Sequence, residues 1–182
     1  MDNGALSYRR FLDGDESAFD IIIKEYFDNL IFFINRYVHD LHISEDIAID
    51  VFADLVVHKN RYNFRVTLKT YLFMLAKSRA INYAKRQNKR RAVEESYTEN
   101  ENNEYESLES LVLHDELKLT VNKAVDKLPE DMKVAIHLIY FENLTYEEAA
   151  AVMGKNKKQI DNLLYRAKNT LRTMLGKEDL LK

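Results

Sequence analysis

Apolar residues recur at helical spacing along most of the chain. Residues 16–38 place Phe19, Ile22, Ile23, Tyr26, Leu30, Phe33, Ile34 and Tyr37 along one side of a helix. A second helix is predicted with Ile47, Ala48, Val51 and Leu55 inward, Ser44 as its N-cap, and Glu45 and Asp46 beside its positive dipole end. Thr67 is predicted to cap a third, long helix whose inner side carries Leu68, Leu72, Leu75, Ala76, Ile81 and Tyr83. Three amphipathic helices sharing a core make an N-terminal helical domain over residues 1–91. Residues 92–107, AVEESYTENENNEYES, show no period and are rich in Glu and Asn. They read as an acidic flexible linker extended by self-repulsion, with an exposed helix as the alternative.

Helical spacing returns over residues 108–182 with Leu108, Leu111, Val112, Leu117, Val121, Ala124, Val125 and Leu128. Pro129 suits the first turn of a further helix reaching Phe141, with Met132, Ala135, Ile136 and Ile139 on its apolar side. The sharpest local pattern follows. Thr145 and Glu148 form a capping box, Ala150 allows a close helix crossing, and Gly154 stands where the chain must turn with positive φ. Asn156 and Gln159 make a variant capping box, and Ile160, Leu164, Ala167 and Leu171 line the inner side of the last helix. This small–Gly–Ile spacing between two caps is a helix-turn-helix arrangement. Its second helix carries Lys157, Lys158, Gln159, Asp161, Asn162, Tyr165, Arg166 and Lys168 around its leading and outward side. Such a helix enters the major groove with its first turns, and later basic residues reach phosphates. An αα-hairpin used only for packing is the alternative, but lysines at the positive end of a helix are locally unfavourable, and a polyanion would account for them. The predicted fold is all-α: two small helical domains joined by an acidic linker, the C-terminal one a helix-turn-helix.

Charge sharpens this picture. Residues 55–93 contain no Asp or Glu and eleven Lys or Arg, inside a chain of net charge −3. Residues 1–54 hold 4 basic and 12 acidic side chains, residues 94–116 hold 9 acidic and no basic ones, and residues 155–182 hold 8 basic and 3 acidic. Two basic blocks separated by acidic segments imply two contact surfaces for a polyanion. Tyr62, Phe64, Tyr71, Phe73 and Tyr83 are interleaved in the first block, where an exposed ring face can stack on an unpaired base. A core role is the competing reading for these rings, and Tyr71 and Tyr83 are expected to pack. One proline and four glycines leave little material for hairpin turns, and the absence of cysteine excludes disulfides and thiolate metal sites. No apolar run suits a secretory signal or a membrane span, so no membrane insertion and a cytoplasmic location are expected.

Four segments, in this order, resemble the extracytoplasmic-function group of bacterial RNA polymerase sigma factors. GDESAFDIIIKEYFDNLIFFI is similar to the family's opening helix and SEDIAIDVFADLVVH to its second. LKTYLFMLAKSRAINYAKR is similar to the segment that reads and melts the promoter −10 element. LPEDMKVAIHLIYFENLTYEEAAAVMGKNKKQIDNLLYRAK resembles the −35-reading domain. The resemblance implies a transcription initiation factor, not an enzyme, with no cofactor. Its implied partners are the β′ and β subunits of bacterial core RNA polymerase, promoter DNA and an anti-sigma factor. It also implies core-polymerase binding through Asp46, Asp50, Phe52 and Leu55, because the family's second helix binds the clamp helices of β′. Candidate −10 contacts are Lys77, Arg79, Asn82, Lys85 and Arg86, and candidate −35 contacts are Lys157, Lys158, Gln159, Asn162 and Arg166. Tyr71, Ser78 and Asn82 stand where relatives commonly have Trp, Asn and Asp. Asp161, where a basic residue is frequent, either accepts from a cytosine amino group or points away from DNA.

A conventional helix-turn-helix regulator with a sensing or dimerising N-terminal domain shares the C-terminal motif but leaves the long basic block unexplained. A small nuclease is the other alternative. His39, His42, His58, His114 and His137 are scattered, however, and neither a Gly-rich phosphate loop nor a nucleophile motif is present.

Overall fold

A computed structural model describes residues 3–94, 121 and 123–175, with side chains described through residue 90 in the first stretch. The chain divides into two compact units, Met1–Asn102 and Asn103–Lys182. Among the described residues all regular structure is helical. Of the expected linker, residues 92–107, the first three are helical and the rest lie outside the described residues, as does the predicted helical stretch from Leu108 to Leu117.

The first unit opens with a helix that the apolar pattern did not announce: α1, Asn3–Leu12. It buries Ala5, Tyr8 and Phe11. A turn through Gly14, at φ 100°, leads into α2, Ser17–Val38. Asp15 organises that turn by accepting from Ser17 Oγ at 2.6 Å and from Arg10 Nη2 at 2.6 Å. The Ser17 hydroxyl and the Arg10 guanidinium hold its carboxyl below the ordinary aspartate value. α2 is the central element, packing on α1, on α3 (Leu41–Val57) and on α4 (Leu68–Glu94). Its inward residues Ile22, Tyr26, Leu30, Phe33 and Ile34 follow the expected period. It ends where His39 takes a left-handed conformation, φ 56°, and its N–H returns to Asn35 O.

The cap of α3 differs from expectation. Asp40, not Ser44, precedes the helix, and its Oδ1 accepts from the Ile43 N–H at 3.1 Å. Ser44 is instead buried within the first turn and returns its hydroxyl to Asp40 O at 2.6 Å. Both residues are good caps, and the one with the extended backbone (φ −149°, ψ 119°) takes the role. α4 starts as predicted, with Thr67 Oγ1 accepting from the Thr70 N–H at 3.2 Å. Its inner stripe is Leu68, Leu72, Phe73, Ala76 and Ala80. Phe73 and Ala80 therefore take the interior places expected for Ile81 and Tyr83, which are only half-buried. The Phe33 and Phe73 rings meet at 4.9 Å, joining α2 to α4. Each such fully buried ring contributes about 1.5–3 kcal/mol of burial, which outweighs the modest helix propensity of the aromatics.

In the second unit, residues 123–126 are helical, and Pro129 precedes α5, Glu130–Ile136. This helix continues as a π-helical turn over His137–Phe141. Met132, Ala135 and Ile136 are buried as expected, together with Val134 and Leu138, whereas Ile139 is partly exposed. The wider turn carries His137 into the interior, where its Nε2 lies 3.3 Å from Oε1 of the buried Glu142. α6, Tyr146–Met153, and α7, Lys157–Leu175, complete the unit and pack on each other.

Candidate nucleic-acid interface

The α6–α7 pair is held by short-range chemistry. Thr145 Oγ1 accepts from the Glu148 N–H at 3.2 Å, while Glu148 Oε2 accepts from the Thr145 N–H at 2.9 Å. This is the predicted capping box. Gly154, at φ 66°, ends α6, and the Lys155 N–H reaches Ala150 O at 2.9 Å. That six-to-one bond around a left-handed glycine is a Schellman ending. Asn156 and Gln159 then cap α7 reciprocally, each N–H bonded to the other's side-chain oxygen at 2.9 Å. Ile160, Leu164 and Ala167 face inward and are buried. A helix-turn-helix results.

Of the five candidate −35 residues, all are exposed on the leading part of α7. Two of them carry an intramolecular partner. Lys157 Nζ contacts Glu147 Oε1 of α6 at 2.6 Å, and the pairing raises the lysine pKa and lowers that of the glutamate. Gln159 supplies the cap of its own helix. Lys158, Asn162 and Arg166 project alongside Tyr165, which is 68% exposed, and Asp161 is exposed as well. Lys168 is turned toward Tyr140 of the π-helical turn, 5.4 Å above its ring, and a hydrogen bond to that tyrosine raises its pKa.

In the first unit, α4 changes character at Ala80. Beyond that residue no described side chain of the helix is buried, and Asn82, Lys85, Arg86, Lys89 and Arg90 are exposed. Asn82, Lys85 and Lys89 lie at i, i+3 and i+7 along one face. Lys89 and Arg90 were not singled out from the sequence, although the acid-free run extends through them. Lys77 is half-buried. Arg79 is engaged inside the unit, its Nη2 lying 3.2 Å from Asp54 Oδ1 and its Nη1 lying 3.9 Å from Asp50 Oδ2. The interleaved rings divide. Tyr62 and Phe73 belong to the core, while Tyr71 is half-buried with its ring 5.1 Å from that of Tyr62. Burial and then the Asp54 charge raise the Tyr71 pKa. Phe64 sits at φ 61° with the Arg9 guanidinium 4.9 Å from its ring centroid, and the Tyr83 hydroxyl accepts from Gln87 Nε2.

The four candidate polymerase contacts also divide. Asp46 and Asp50 are exposed, one turn apart on α3. Phe52 and Leu55 are only 5% and 2% exposed. Phe52 meets the rings of Phe19 and Phe27, so these two side chains face their own domain's interior. The helical period requires this, because Ala48, Val51, Phe52 and Leu55 form the inner stripe of α3. The apolar side chains beside the acids are instead Ile49, Val56 and Val57, which are exposed.

One unit is thus a helix-turn-helix with a polar and basic outer face, and the other bears a long cationic helix. Residues 22–90 match the model of sigma-70 region 2, and residues 118–171 match that of sigma-70 region 4. The chain is 29% identical over 168 residues to the RNA polymerase sigma-H factor of Pseudomonas aeruginosa, covering 87% of this chain and 86% of that one. It is 26% identical over 170 residues to the ECF RNA polymerase sigma-E factor of Escherichia coli K12, covering 89% and 88%. Among solved structures, it resembles the sigma factor RpoE from Bartonella quintana, in complex with the anti-sigma factor NepR. There the TM-score is 0.62 and the identity 24%, over 86% of this chain and 96% of that one. CnrH, in complex with the cytosolic domain of CnrY, gives a TM-score of 0.69 at 16% identity, over 97% and 99%. These two likenesses concern the fold. The chain belongs to the extracytoplasmic-function group of sigma-70-type RNA polymerase sigma factors. It is a transcription initiation factor that binds core RNA polymerase and directs it to promoters, and it is not an enzyme. No helix among the described residues is long and apolar enough to cross a membrane.

Proposed function

We propose a division of labour in which residues 1–91 bind core polymerase and the −10 element, residues 108–182 bind the −35 duplex, and residues 92–107 connect them. The observation that carries this reading is the bare half of α4, where Asn82, Lys85, Arg86, Lys89 and Arg90 are exposed past the last buried residue, Ala80. An exposed cationic helix in a net-negative chain favours a polyanionic partner. The −10 single strand is assigned to this face, with Lys77 at its inner end and Arg79 held back by Asp54.

On α3 the polymerase-facing surface consists of Asp46 and Asp50 with the exposed Ile49, Val56 and Val57 between and beyond them. Phe52 and Leu55 support it from beneath. On α7, Lys158 and Arg166 serve phosphates, Asn162 reads a base edge, and Lys157 and Gln159 stiffen the helix start while offering their remaining donors. Capture of unstacked −10 bases offsets an unstacking cost of about a few kcal/mol each. The acidic segment 92–107 is assigned, by resemblance, to the polymerase's RNA channel, where its charge imitates nascent RNA. Action in the cytoplasm and control by an anti-sigma factor complete the proposal, the latter because the similar RpoE was crystallised with one.

Site-specific photo-crosslinking in the assembled promoter complex tests these assignments together. A probe at Ile49 should label β′, one at Lys85 the non-template −10 strand, and one at Asn162 the −35 duplex. Labelling of the −35 duplex from Lys85, or of DNA from Ile49, would refute the scheme.

A further inference from the structure

Asp54 is the most heavily engaged carboxylate described in the first unit. Its side chain is only 9% exposed. Oδ1 lies 3.1 Å from His58 Nδ1, 3.1 Å from Arg61 Nη1 and 3.2 Å from Arg79 Nη2. Arg61 Nη1 also reaches Oδ2, at 3.4 Å. These partners come from two places: the 58–67 loop, which His58 opens as the C-cap of α3, and the part of α4 that leads into its exposed cationic half. A carboxylate withdrawn from water needs partners of this kind to replace the hydrogen bonds it loses. The other groups nearby are Asp50, 3.9 Å from Arg79, and the Tyr71 hydroxyl, whose titration feels the Asp54 charge.

The consequence for DNA binding follows from charge. Arg61 and Arg79 lie within the 39-residue run that otherwise lacks any acid. Asp54 is supplied by the segment just before that run and reaches across from α3. Without it, two guanidiniums would stand side by side, repelling each other and free to reach any phosphate. Phosphate contacts of this kind add affinity for every sequence equally and dilute discrimination.

We propose that Asp54 is a positioning residue for promoter capture: it binds Arg61 and Arg79, fixes the 58–67 loop against α4, and withholds both guanidiniums from the nucleic-acid backbone. Selectivity at −10 then rests on the groups left outward, Asn82, Lys85 and Arg86. The inference depends on the −10 assignment of α4 made above.

The test uses the full chain assembled with core polymerase, binding a single-stranded −10 oligonucleotide and a scrambled one across a range of salt concentrations. Asp54→Asn keeps the size and removes the charge. It should steepen the salt dependence on the scrambled strand by about 0.7 for each guanidinium that turns to a phosphate, and lower the ratio of −10 to scrambled affinity. Arg79→Gln in the otherwise native chain should leave the slope unchanged, because that charge is already committed, and in the Asp54→Asn background it should remove about 0.7 of the added slope. A merely structural role for Asp54 would lower thermal stability without steepening the slope, and that result overturns the proposal. So does a slope that falls by about 0.7 on Arg79→Gln alone, since Arg79 would then be a native phosphate contact. Lys85→Ala with Arg86→Ala separates the two readings. If that pair weakens −10 binding while the Asp54 and Arg79 variants behave as native, only the Asp54 inference fails. If it has no effect, the −10 surface itself is misassigned and the inference falls with it.

Discussion

Truncation of Ile160 separates the two DNA-binding activities through stability alone. Ile160 is fully buried, opening the inner stripe of α7 that continues through Leu164 and Ala167. Ile160→Ala should cost about 2–5 kcal/mol through lost transfer free energy and the cavity left behind, and Ile160→Val about 0.5–1.5 kcal/mol. The second compact unit spans residues 103–182. At about 0.05–0.15 kcal/mol per residue, a unit of that size holds only about 4–12 kcal/mol in total. The alanine variant therefore sits near the edge of unfolding in this unit, while α1 to α4 keep their own core. Amide exchange by mass spectrometry reads both units in one sample. Protection in α6 and α7 should fall by the stated amounts, and protection in α2 and α3 should not change. Binding to a pre-melted −10 template should persist while −35 duplex binding weakens in step with the exchange data. A loss under about 1 kcal/mol for Ile160→Ala would refute the packing argument, and an equal loss of protection in α2 would refute the independence of the two cores.

Two further outcomes are expected. Asp46→Lys combined with Asp50→Lys, both on exposed positions, should weaken association with core polymerase in a pull-down titration and leave the thermal stability nearly unchanged; unaltered affinity would move that interface off α3. Tyr8 donates to the carbonyls of Leu55 and Lys59 at 3.0 Å each, and burial followed by the charge of Tyr71 pushes its hydroxyl up to about 12. Because the folded value is raised above the ordinary one near 10, the stability it contributes is complete below that pH and lost as pH rises toward 12. Tyr8→Phe should flatten this alkaline loss of stability in the first unit, and an unchanged alkaline profile would count against it.

Local chemistry was legible in the sequence where the partners lie within a turn or two. The Thr145–Glu148 box, the left-handed Gly154, the Asn156–Gln159 cap and the Thr67 cap all form as read. Where two residues competed for one role, spacing alone did not decide: Asp40 took the cap expected of Ser44, which lies one turn into the helix. Helix α1 has no clear period in the sequence because only three side chains larger than hydrogen, Ala5, Tyr8 and Phe11, turn inward, beside the buried Gly4. The acid-free run marks the outer half of α4, but it does not show the commitment of Arg79, since Asp54 arrives from a different helix. For Phe52 and Leu55 the resemblance implies a contact role, and the period of α3 turns both side chains inward. The π-helical turn and the buried His137–Glu142 pair have no local signature and depend on the assembled core.

The central claim is that two separate surfaces select the promoter, one for each element. Run-off transcription with core polymerase on a template library randomised at −35 and −10 tests it most directly. Core enzyme supplemented with the native chain should initiate from a restricted set of templates, with preferences in both elements. Asn162→Ala should relax preference at one −35 position, by about 1–3 kcal/mol, without altering the −10 preference, and Asn82→Ala should do the converse. Relaxation of both elements by either single substitution, or transcripts independent of the added chain, would contradict the account.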